Sequence, residues 1–93
     1  MIVGSVIKQP GERFPFRVSF AQYMAETEDT LVGVTAAADD PGLVVHPVTL
    51  TGEVAVVWMD KDTPAGSYKV TVIVTSAGGQ ILEAEVRVRV RDF

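Results

Sequence analysis

The side chains best suited to proton transfer or cation binding in this 93-residue chain are carboxylates, of which there are 12 against 8 lysines and arginines. His46 is the single histidine. Spacing gives it no serine or acidic partner, and beside Pro47 it reads as an ordinary strand residue rather than a general base or ligand. Cysteine is absent, which removes thiolate nucleophiles, zinc–thiolate sites and redox switching. Among the acids, Asp39, Asp40, Asp60 and Asp62 lie in two turn-like stretches that alternating strands would bring to one end of a sandwich, with Glu12 beside them. Such a cluster is a candidate site for a hard cation. Calcium takes about six to eight oxygen ligands in a dedicated loop, whereas Asp60-Lys61-Asp62 offers two carboxylates separated by a lysine. Calcium is therefore the weaker alternative to solvated loop ends that discourage edge-to-edge aggregation. Glycoside hydrolysis would need two carboxyls about 5 to 9.5 Å apart across a sugar-sized cleft. No GxGxxG, GxxxxGK[ST] or GxSxG is present, so neither a phosphate cradle nor a nucleophile elbow is expected. The chain reads as a non-enzyme with no cofactor.

Apolar periodicity identifies the elements that carry these residues. From Ile81 to Arg91, Leu82, Ala84, Val86, Val88 and Val90 fall on one face and Glu83, Glu85, Arg87, Arg89 and Arg91 on the other. Period two gives one dry face and one wet face, as in a half-buried strand. The same alternation recurs at Phe14, Phe16, Val18 and Phe20; at Val32, Val34 and Ala36; at Val54, Val56 and Trp58; and at Tyr68, Val70, Val72 and Val74. Turn chemistry separates the runs at Pro10-Gly11, Glu26 to Thr30, Asp39-Asp40-Pro41-Gly42, Thr51-Gly52, Asp60 to Gly66 and Gly78-Gly79. Seven strands are predicted, over 1–8, 13–20, 31–38, 43–50, 53–59, 67–76 and 80–90. This pattern predicts an all-β, seven-stranded antiparallel immunoglobulin-like β-sandwich forming one domain over residues 1–93. Pro15 and Pro47 must sit at edges, strand starts or bulges, because proline cannot donate to a ladder. Ala21 to Ala25 suits a helical turn, with Tyr23 and Met24 closing the end of the core.

Composition limits what such a domain does. Apolar residues make up 47% of the chain and charged residues 22%, so it should fold rather than remain disordered. Its size leaves little surface for a deep internal site, since most apolar residues are needed in the core. A formal charge of −4 leaves no electropositive surface large enough for nucleic acid. No apolar run approaches the ~18 residues of a membrane span, and Met1 to Ile7 is too short for a signal sequence. The chain is expected to start at its own start codon and to fold in the cytoplasm.

Surface residues are then the candidates for function. Arg87, Arg89 and Arg91 form an exposed stripe, either solvated and paired with cross-strand acids or recognising an acidic partner. Phe93 ends the chain after Asp92 and is either frayed or a plug for a neighbouring subunit. The other aromatic strand residues, Phe14, Phe16, Phe20, Trp58 and Tyr68, fall at core-facing parity. Tyr68 follows Pro64-Ala65-Gly66-Ser67 into the sixth strand, the position of a tyrosine corner whose hydroxyl bonds to upstream backbone.

Three stretches carry a family likeness: Lys8-Gln9-Pro10-Gly11-Glu12 leading into Phe14 to Phe20 and Tyr23-Met24; Gly66 to Val72; and Thr75 to Gln80 followed by Glu85 to Asp92. On them the chain resembles the small immunoglobulin-like proteins of tailed phages described as fibre-tail adaptors or neck structural proteins. That resemblance implies a non-enzymatic virion structural protein of a phage or prophage, folded in the host cytoplasm. It also implies homo-oligomeric assembly in the virion and docking of fibres or other tail or neck proteins. Arginines on the last strand and acids in the loops suggest head-to-tail charge complementarity between copies. The alternatives are an immunoglobulin-like carbohydrate- or surface-binding module and, behind it, a small hydrolase.

Overall fold

Each run of alternating residues becomes a strand. The structure is a computed structural model and describes residues 2–92; Phe93 lies outside the described residues. In chain order the elements are β1 (Ile2–Lys8), β2 (Phe14–Ser19), α1 (Ala21–Thr27), β3 (Leu31–Ala38), β4 (Val45–Thr51), β5 (Val54–Met59), β6 (Gly66–Ser76) and β7 (Ile81–Val90). They form a four-stranded sheet in the order β1-β7-β6-β3 and a three-stranded sheet in the order β2-β5-β4. The molecule extends 43 Å along its long axis and 21 by 18 Å across it. The 11-residue β6 alone spans about 36 Å at ~3.3 Å per residue.

The core lies between the sheets. β6 contributes Tyr68, Val70, Val72 and Val74, β7 contributes Ala84, Val86, Val88 and Val90, and β2 contributes Phe16 and Val18, followed by Phe20. These are the inward sets expected from their alternation. β5 is a correction. All of its residues are apolar, so alternation gives no parity, and the core takes Ala55, Val57 and Met59 while Val54, Val56 and Trp58 stand half-buried on the opposite face. In β3 a register shift between Leu31 and Gly33 turns Leu31 and Val34 both toward the core and leaves Val32 exposed. Bulges re-aim side chains in this way.

The strand pairs are antiparallel with one exception. β1 pairs parallel to β7, with Ser5 opposite Arg87 and Lys8 opposite Val90. Both prolines occupy the predicted kind of position. Pro15 is on the edge strand β2, and Pro47, whose peptide bond with His46 is cis, lies on the edge strand β4 where the register shifts between Val45 and Val48. In α1, Met24 is buried under the end of the sandwich, but Tyr23 is exposed. The expectation that both residues close the core is corrected for Tyr23, because a seven-residue helix turns one side inward and these neighbours are about 100° apart.

Candidate docking surface

The loops at one end of the sandwich are held by their own polar groups. Lys8 is fully covered, and its Nζ donates to the carbonyl oxygens of Gln9 at 3.0 Å and Pro10 at 3.3 Å. Burial lowers its pKa, while Glu12, Asp60 and Asp62 oppose the shift. Buried Thr63 donates from its backbone N to the Pro10 carbonyl and from its hydroxyl to that of Asp60. The Tyr68 hydroxyl donates to the Pro64 carbonyl at 2.7 Å, the bond that defines a tyrosine corner. Burial, followed by the charges of Asp40 and Asp39, raises the Tyr68 pKa, so the hydroxyl stays protonated.

The loop acids have separate local roles. Asp39 accepts from the Lys69 backbone N, Asp40 from that of Gly42, and Asp60 from that of Lys61 while lying 3.7 Å from Arg13. Asp62 sits in the left-handed region at φ 61°. Among the described residues no three histidine or acidic side chains come together as a metal-binding group. His46 is exposed on β4. At the other end, Asp29 is the hub that sequence reasoning missed within a merely acidic turn. Its carboxylate accepts from the backbone N of Thr30 and Gly78 and from Gln80 Nε2, tying the α1–β3 connection to the β6–β7 hairpin. A hydrogen bond with Ser76, then those with backbone and Gln80, holds its pKa below the usual aspartate value.

The arginine stripe lies on the outer face of the four-stranded sheet. Arg87 stands between Ser5 on β1 and Lys69 on β6, and Arg89 between Ile7 and Ser67. The expected cross-strand acids are not opposite either residue. Lys69 instead lies 3.8 Å from Glu85, one pair further along, and neither Arg87 nor Arg89 has an ion pair among the described residues. Arg91 is exposed, and its backbone N donates to the Lys8 carbonyl. Ile7 is 56% exposed beside these cations, and a hollow of about 250 Å³ is lined by Ser5, Val6, Ile7, Arg87 and Arg89. The fourth interface candidate, Phe93, is outside the described residues.

On the opposite sheet, the outward Trp58 ring carries the Arg13 guanidinium 4.6 Å from its centroid, within cation–π range. Trp58 is therefore an outer-face aromatic, against its expected core position, and one face of its ring is already engaged. Sequence alternation had no means of showing this in an all-apolar strand.

A family model described as "Podophage GP4 fiber-tail adaptor protein gp77" matches residues 8–89. The chain belongs to this family. As a fibre-tail adaptor it is a structural phage tail protein and virion component that works with other tail proteins. No curated protein matches the chain. Among solved structures, the crystal structure of the titin M3 domain is similar with a TM-score of 0.61 at 11% identity, covering 98% of this chain and 92% of that one. That likeness shows the immunoglobulin-like fold alone. The crystal structure of Listeria monocytogenes InlP matches at 15% identity with a TM-score of 0.43, covering 97% of this adaptor and 26% of that chain. Among the described residues no helix is long and apolar enough to cross a membrane.

Proposed function

We propose that this fibre-tail adaptor assembles with further copies of itself in a tailed phage or prophage particle and docks fibres or neighbouring tail proteins through its outer surface. It does so without catalysis or a cofactor. The observation that supports this reading is the cationic row of Arg87 and Arg89, without ion pairs among the described residues and flanked by exposed Ile7, on a chain whose Glu12, Asp60 and Asp62 act together on Lys8 at one end. Unlike surfaces on one rigid sandwich suit a part that joins unlike neighbours. A carbohydrate-binding reading has less support, since Arg13 already covers one face of the outward Trp58 ring. The test is a phage in which the gene is deleted and then supplied in trans. Particles made without the protein should lack fibres, and complemented particles should contain it in multiple copies per tail by quantitative mass spectrometry. Complemented particles devoid of the protein would overturn the proposal.

A further inference from the structure

We infer that the β1 edge, resting on the adaptor reading above, receives an extended segment of a neighbouring tail protein in which apolar residues alternate with Asp or Glu. The main chain supplies the first argument. Arg91 N donates to the Lys8 carbonyl at 2.9 Å, so Lys8 turns its peptide groups toward β7. By the two-residue alternation of a strand, Val6 and Gly4 do the same, and Ser5 and Ile7 turn theirs away. Among the described residues no main-chain partner meets Ser5 or Ile7 on that side. The facing strand β2 is also an edge. Phe20 N donates to the Glu53 carbonyl on the β5 side, which leaves Arg17 and Ser19 turned outward, in the same set as Pro15, which has no N–H to satisfy.

The side chains supply the second argument. A strand added to β1 would point every other residue inward, beside Val6. There a cavity of about 240 Å³ opens between the sheets, lined by Gly4, Val6, Phe16, Val18 and Val86 together with Ser5, Arg17 and Ser19. Val6, Phe16, Val18 and Val86 favour apolar side chains at the inward positions. The intervening residues would point outward, next to Ser5 and Ile7 and within reach of Arg87 and Arg89, while Arg17 borders the same cavity from β2. All three arginines are without an ion pair among the described residues. Carboxylates at the outward positions complement them, which selects an acidic occupant over a neutral or basic one.

The experiment uses the full chain and a synthetic peptide of alternating valine and glutamate, with a valine–lysine peptide of equal length as control. Amide hydrogen exchange and NMR shifts should change at Ser5 and Ile7 with the glutamate peptide, and not with the lysine peptide. Binding should weaken by about tenfold or more in the Arg87→Glu/Arg89→Glu variant, and also in Ser5→Pro, which removes an outward N–H without touching the β7 ladder. Unchanged melting temperatures would show both variants folded. An equal response to both peptides, changes confined to β3 or β4, or no binding would each overturn the proposal. So would concentration-dependent self-association that Ser5→Pro abolishes, because the occupant would then be a second copy. In complemented phage, fibred particles containing Arg87→Glu/Arg89→Glu at the wild-type level would overturn the docking edge and leave the adaptor reading intact. Absence of the wild-type protein from particles would remove the adaptor reading, and with it the tail-protein occupant.

Discussion

Tyr68 and Asp29 hold opposite ends of the sandwich through single side chains. Tyr68→Phe keeps the ring in the core and removes one hydrogen bond, leaving the Pro64 carbonyl unpaired by it. It should lower unfolding stability by about 0.5 to 1.5 kcal/mol in urea titration, a drop of several degrees in melting temperature for a domain of this size. An unchanged midpoint would mean that water replaces the bond without loss. Asp29 makes a prediction about acid. Its folded-state pKa lies below the ordinary value of 3.8, so the unfolded chain takes up a proton first as pH falls. The stability from Asp29 is complete well above 3.8, declines as pH drops past it, and is gone below the depressed folded value. Asp29→Asn should flatten that part of the stability curve, which thermal melts between neutral and strongly acidic pH would show. Parallel curves for both proteins would contradict it.

At the scale of elements, the β6–β7 hairpin depends on two glycines for different reasons. Gly79 has φ 92°, a left-handed conformation that L side chains adopt at a cost. Gly78 leaves room for the Asp29 carboxylate, since a Cβ there would lie 2.6 Å from Oδ2. Gly78→Ala should therefore destabilise the fold by about 1 to 2 kcal/mol. The loss should be strongly reduced in an Asp29→Ala background, because the two changes break the same tie; full additivity in a double-mutant cycle would refute the coupling. The strands themselves were legible because polar and apolar residues alternate through β2, β6 and β7 and turn residues bracket them. β5 was legible as a strand but not in its facing, since Val54 to Met59 carries no polar residue to mark the wet side. The β3 bulge depends on partner register, which a single strand does not encode. In the candidate site, Arg87 and Arg89 were visible as an exposed pair. Their neighbours Lys69, Ser5 and Ile7 were not, because they come from other strands, and the parallel pairing of β1 with β7 joins opposite ends of the chain, which alternation within either strand does not encode.

For the whole molecule, a charge of −4 and a local cationic row work together. The net charge keeps copies apart at long range, while Arg87 and Arg89 attract acidic groups only at close quarters, because screening shortens the reach of surface charge to about 10 Å at 0.1 M salt. The affinity for tail partners should therefore fall as salt rises from about 0.05 to 0.5 M. Surface plasmon resonance against fibre-bearing particles would measure this, and an affinity indifferent to salt would exclude charge pairing at the contact.

The parallel course of β1 and β7 has a mechanical corollary. The chain enters along one strand and leaves along its neighbour in the same direction, so tension applied at its two ends slides these strands lengthwise past one another. The rungs between them then resist simultaneously, whereas peeling a hairpin opens its rungs one after another. A component strung between a fibre and a tail in this orientation would yield at higher force than the same sandwich gripped through its β4–β5 turn.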